Sequence, residues 1–198
     1  MSLRESAKVR TALLRQEVRR SPIHDLREMS LTNGRLFPTD REPIPWDTAP
    51  IVPLMDGVVD LFGNKRDVNG MFKEYNVSVL ALNLSTMGAS HIQPYKECIP
   101  ENIPLIDIHI IVGRLKSLFL SRLCRMQLLK TTQETLKDKT FCLSLPKPGL
   151  FGNMGAWNRY GAYIYLIDDV GRARWRASGP PDEGDLENFE RAIEHLQK

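Results

Sequence analysis

The chain has three cysteines that could do chemistry, Cys98, Cys124 and Cys142. A thiol becomes a nucleophile, redox centre or metal ligand when a second thiol, a histidine or a helix N-terminus stands beside it. The odd count and wide spacing give no C-x-x-C pair and no disulfide framework. Cys98 has His91 and Glu97 close in sequence, which suits a peroxidase-like thiol or a metal ligand, although a plain loop cysteine is the simpler reading. Cys124 falls within an apolar helical run and reads as a small core hydrophobe. Free thiols of this kind fit a reducing compartment, either cytosol or mitochondrial matrix.

Other chemistry finds less support. No histidine or cysteine spacing matches a metal motif, and His109 alternates with Asp107 on a strand face as a structural group. Gly149, Gly152 and Gly155 lack the strand-to-helix context of a phosphate loop. No local motif marks a serine nucleophile. A net charge of +3 without a basic stripe or recognised module gives no nucleic-acid partner. No cofactor and no metal is expected.

The elements that would position these groups follow from the pattern. Of the 198 residues, 42% are hydrophobic and 26% charged, enough for one globular domain with additional sequence. Residues 1–20 are arginine-rich with a helical stripe of Val9, Leu13, Leu14 and Val18. They fit either a transit-peptide-like segment or a solvated helix docked on a partner, and Glu5 and Glu17 weaken the first reading. Residues 21–57 carry Ser21-Pro22, Asn33-Gly34 and five further prolines, predicting an extended proline-rich arm that must lie on something else. From 58 to 198 the pattern is regular. Strands are expected over 58–61, 77–84 and 106–112, a short helix over 68–75, and a helix over 113–130. A long loop over 131–160 holds a strand near 141–145. Strands 162–168 and 172–178 form a hairpin, and a last helix spans about 182–197. No apolar run reaches the roughly 18 residues of a membrane span, the run from Leu115 to Leu129 being broken by Lys116, Arg122 and Arg125.

Two parallel strands with a crossover, then a hairpin and a helix, give an α/β fold with a thioredoxin-like core of central mixed sheet and flanking helices. An enzyme of that fold sets its cysteine just after the first core strand. Here that place reads Ser85-Thr86-Met87-Gly88-Ala89, and the place of the customary cis-proline reads Arg159-Tyr160-Gly161. Both parts are missing, so the chain is expected not to be an enzyme.

Binding surfaces are the better candidates. The helix over 113–130 sets Arg114, Lys116, Arg122 and Arg125 beside Phe119 and several leucines, a basic apolar face suited to a partner or an anionic membrane surface. A buried crossover helix with a wet basic edge is the plainer alternative. Arg172, Arg174 and Arg176 share one face of the last strand, the solvated face of a hairpin or a contact for acidic groups. Phe37 and Trp46 are apolar anchors of the arm, whose residues 36–54 are a second candidate contact surface for a partner or membrane.

The stretch GAYIYLIDDVGRARWRASGPPDEGDLENFERAI resembles the mitochondrial ATP synthase assembly factors of the ATPase complex subunit ten family. Its features are the aromatic strand ending at Asp168, Arg174-Trp175, the Ser178-Gly179 turn and the acidic start at Asp182-Glu183. The strand 77–84 with Ser85-Thr86, the segment 102–129 and Met55-Asp56-Gly57 are similar to the family's upstream parts, so the resemblance covers roughly residues 20–197. It implies a non-catalytic chaperone of the Fo membrane sector at the matrix face of the inner mitochondrial membrane. The implied partner is subunit a, or other subunits of ATP synthase or a respiratory complex. The loop 131–160 matches little, which leaves a permanent accessory subunit as the alternative to a transient factor.

Overall fold

The computed structural model describes residues 21–112, 116–132, 134–145 and 150–197, with 116–120, 135 and 145 as backbone only. The predicted helix within 1–20 and the residue Arg114 lie outside the described residues.

One six-stranded sheet organises the molecule. Its strands are β1 (Val59–Asp60), β2 (Val77–Asn83), β3 (Leu105–Val112), β4 (Thr140–Leu145), β5 (Ala162–Asp168) and β6 (Ala173–Ser178). They lie in the order β1-β4-β3-β2-β5-β6. β2, β3 and β4 are mutually parallel, while β1, β5 and β6 each run antiparallel to their neighbours. All seven residues of β2 are buried, as a near-continuous apolar run covered on both faces requires.

Alternation divides the apolar side chains into two cores. On one face Leu80, Leu82, Ile108, Phe141, Tyr163 and Tyr165 pack against Phe72, Phe151 and Met154. On the other, Val79, Ile164, Leu166 and Trp175 meet Tyr95, Phe189 and Ile193. Phe189 belongs to α6 (Asp185–Leu196) and Tyr95 to α4 (Gln93–Glu97). Their rings stand 5.6 Å apart edge to face, with Trp175 5.1 Å from Phe189.

Several local elements depart from expectation. Residues 22–32 are not extended but form α1 (Pro22–Thr32). Ser21 caps it, its Oγ accepting from the His24 amide at 3.1 Å, and Pro22 occupies the first turn where no amide partner is needed. Ser21-Pro22 is therefore a helix start rather than a turn, and Asn33 closes the helix in the left-handed region at φ 50°. The helix expected over 68–75 is α2 (Val68–Met71) followed by a 3₁₀ turn, Phe72–Glu74. Between β2 and β3 stand α3 (Thr86–His91) and α4, for which the sequence pattern gave no expectation. The long crossover helix α5 spans Lys116–Thr131 and leads through a 3₁₀ turn, Glu134–Lys139, into β4. β4 lies inside the sheet, between β1 and β3.

Residues 35–52 run along the open side of β6. The Asp40 amide donates to the Arg176 carbonyl at 3.0 Å, Ile44 to Arg174 at 2.5 Å and Val52 to Gly171 at 2.8 Å, and the Ala173 amide donates to Pro50 at 2.8 Å. The Ser178 hydroxyl oxygen accepts from the Leu36 and Phe37 amides. An unpaired sheet edge invites pairing with foreign strands, and this segment occupies it. Proline suits such a covering segment, because amides it lacks would otherwise point to solvent unpaired.

Candidate functional site

The expected common face of Arg172, Arg174 and Arg176 is broken by a bulge at Arg174, which sends Ala173 to the core of Tyr165 and Ile167 while Trp175 and Ala177 join the other core, yet all three arginines reach the arm along this edge strand. The Arg172 guanidinium lies over the Trp46 ring, 4.2 Å from its centroid, and donates to the Ala49 carbonyl at 3.2 Å. Arg174 Nε donates to the Ile44 carbonyl at 2.8 Å. Arg176 Nε bonds Asp40 Oδ2 at 3.2 Å while its guanidinium sits 5.1 Å from the Phe37 ring. Phe37 in turn stacks on Tyr163 at 5.9 Å. Burial pushes the Asp40 carboxyl up, with Arg176 pulling the other way. Five residues singled out in the sequence thus come together, and they hold the chain to itself. Of these, Trp46 keeps 55% of its surface exposed.

The second group lies on α5. Arg122, Leu123, Met126, Gln127 and Lys130 face outward, with Leu123 59% and Met126 49% exposed. Arg125 turns inward towards the β1 end of the sheet, where a Cβ on Gly63 would stand 2.5 Å from its Nη1. The side chains of Lys116 and Phe119 lie outside the described residues.

Beneath α5 the sheet is polar. Asn83, His109 and Cys142 form one row across β2, β3 and β4, with Asp107 two residues before His109 on the same face. Asn83 Nδ2 donates to Asp107 Oδ1, and the Lys96 ammonium of α4 reaches Asp107 Oδ2 at 2.7 Å in a largely buried ion pair. Asn83 Oδ1 is buried without a hydrogen-bond partner. Burial holds the His109 pKa below its ordinary value, opposed by Asp107 and assisted by Lys96, so the imidazole is neutral near pH 7. Two clefts flank His109. One of about 350 Å³ is lined by Ser85, Thr86, Leu123 and Cys124, and one of about 450 Å³ by Gln93, Lys96, Asp107 and Leu128.

Ser85 lies just after β2, at the start of α3. Its hydroxyl accepts from the Gly88 amide at 3.0 Å and donates to the Tyr160 carbonyl at 2.6 Å, so it caps α3 and ties it to the loop before β5. Gly88 permits that approach, since a Cβ there would meet the Gly161 carbonyl carbon and Tyr160 oxygen at 2.7 Å.

The thiols divide in an unexpected way. Burial, Glu190 and Glu97 push the Cys98 thiol up, the opposite of activation. Cys124, expected in the core, is only half-buried and lines the smaller cleft. A hydrogen bond from the Cys142 thiol brings it down to about 7 against the effect of burial, and Cys142 itself is pushed far up. Nothing in the sequence announced this pair, because only the packing of α5 on β4 sets it. Among the described residues, His24, Asp25 and Glu28 present ligand atoms within 4.8 Å of one another. Arg159 Nε holds Asp25 Oδ2 at 2.7 Å, which already gives that carboxylate a cation.

A family model described as ATP10 protein matches residues 1–196. No individual curated protein matches the chain.

Proposed function

From the premise that this chain belongs to the ATP10 protein family and takes part in ATP synthase assembly, we propose that it is a non-catalytic chaperone of the Fo membrane sector. It holds subunit a until that subunit joins its neighbours, working peripherally at the matrix face of the inner mitochondrial membrane. The strands β3-β2-β5-β6, with two parallel members, an antiparallel hairpin and a closing helix, support reading the core as thioredoxin-like. Among the described residues no helix is long and apolar enough to cross a membrane.

The observation that carries the reading is the outer face of α5. Leu123 and Met126 are large apolar side chains left about half exposed on one helical turn, beside the cations Arg122 and Lys130. Such a face suits a membrane subunit whose apolar surface is costly to expose in water and whose matrix loops carry acidic groups or lie near anionic lipid. The arm supports transient action over permanent residence. Phe37, Asp40 and Ile44 are held by β6 within the chain rather than left for a neighbour.

The test is affinity capture from mitochondrial membranes with tagged wild type and Leu123→Asp/Met126→Asp. Subunit a captured by wild type and lost several-fold in the variant, with the protein absent from mature ATP synthase by quantitative mass spectrometry, is the expected result. A fixed ratio to core subunits in the mature enzyme would overturn the transient reading, and undiminished capture by the variant would remove the α5 face from it.

A further inference from the structure

We propose that Cys124 and Cys142 form a reversible thiol–disulfide site, with Cys124 the attacking thiol and Cys142 the resolving one. The positions are complementary. Cys124 is half-buried on α5 and opens into the cleft of about 350 Å³, where a small disulfide can reach it. Cys142 is fully buried on β4, in register with His109, which lines the same cleft as Cys124, and α5 packs on β4 so that the two thiols act on one another. It needs no access of its own, since its step is internal to the protein.

The surroundings favour sulfur anion chemistry. Arg125, the next residue of α5, acts on Cys142 as a nearby cation, and its Nε is buried without a hydrogen-bond partner. A cation beside a thiol eases its ionisation, here that of the resolving Cys142 once the first bond has formed. The interaction with Cys124 and burial outweigh Arg125 at Cys142, with Asp107 adding to them, so the resolving thiol stays protonated until the first bond has formed. The neutral His109 imidazole is the neighbour of Cys142 on β3. Cys98 has the reverse setting, with Glu190 and Glu97 acting on it and no second thiol interacting with it.

The reaction balances with a small disulfide such as oxidised glutathione as oxidant. Cys124 thiolate attacks one of its sulfurs, the S–S bond breaks, and a glutathione thiolate leaves and takes up the proton Cys124 shed. Cys142 then attacks Cys124 Sγ, the mixed disulfide breaks, and the second glutathione thiolate leaves with the Cys142 proton. Two protein thiols are oxidised and one glutathione disulfide is reduced to two thiols. The new bond ties α5 to β4, fixing the helix that carries Leu123 and Met126.

The full chain is equilibrated in buffers of increasing oxidised-to-reduced glutathione ratio, quenched in acid, alkylated and mapped by mass spectrometry. The expected product is one disulfide joining the Cys124 and Cys142 peptides while Cys98 remains alkylated. Cys142→Ala is expected to accumulate a glutathione adduct on Cys124, its folding checked by circular dichroism. Should that variant fail to fold, acid quenching of wild type at early times reads the same intermediate. Both thiols staying alkylatable throughout the series, or glutathione adding first to Cys98 or Cys142, would overturn the assignment.

Discussion

The Trp175 indole N–H donates to the Asp40 carbonyl at 2.6 Å, joining a fully buried ring of β6 to the arm that lies along that strand. The ring packs with Tyr95 and Phe189 in the helix-covered core, while its N–H faces the arm. One side chain therefore couples the core to the edge.

Trp175→Phe keeps most of the ring and removes the donor, and should cost about 1 kcal/mol. Trp175→Ala adds a cavity and should cost about 3–5 kcal/mol. Denaturant unfolding separates the two. No loss in Trp175→Phe would mean the hydrogen bond contributes nothing, and equal losses from both substitutions would mean the ring adds nothing beyond it.

His109 makes stability depend on pH. Its folded pKa lies below the unfolded value because burial disfavours the charged ring. The unfolded chain then binds the extra proton first as pH falls, so stability rises with pH in that window. The contribution is complete above the unfolded value of about 6.5 and is lost as pH falls through the folded one. Unfolding free energies from pH 7 to pH 5 should decline less steeply in His109→Gln than in wild type; parallel slopes would rule this group out.

The Lys96–Asp107 pair should show the asymmetry of buried charges. Lys96→Met leaves Asp107 without its cation and should cost about 3–5 kcal/mol, because an uncompensated charge stays in the interior. Lys96→Met with Asp107→Asn should recover a large part of that loss. A double-mutant cycle in urea measures the coupling, and strict additivity would contradict it.

Gly88→Ala should destabilise by about 1–3 kcal/mol, since the new methyl meets backbone of the loop before β5 rather than a movable side chain. Thermal melting of the variant checks this, with an unchanged midpoint as the contrary result.

The long elements could be read from the chain because each states its own period. β2 is a near-continuous apolar run, β3 is rich in isoleucine, the hairpin strands flank a tight turn, and α6 repeats Phe189, Ile193 and Leu196 at helical spacing. α1 was hidden because Ser21-Pro22 is equally good as a turn or a helix start, and only burial of Met29 decides. α3 and α4 have six and five residues, too few to show a period. Of the candidate contact residues, Arg172, Arg174 and Arg176 were expected on one face, but the bulge at Arg174 breaks the alternation, and a bulge leaves no mark in a period-2 pattern. That the arm would take up this edge was not legible either, because the pairing of Asp40, Ile44 and Val52 with β6 joins segments more than a hundred residues apart. The neighbouring thiols escaped for the same reason, α5 and β4 being separated by a turn whose geometry no local pattern reports.

The segment that seals the sheet leaves the ribosome more than a hundred residues before the strand it seals. Throughout translation, then, residues 35–52 have no β6 to lie on, and a product halted before Ala173 leaves them unpaired and β5 as a bare edge. Closure of this edge is thereby tied to synthesis of β6, and chains interrupted before it carry the mark by which a protease or holdase can tell them from folded ones.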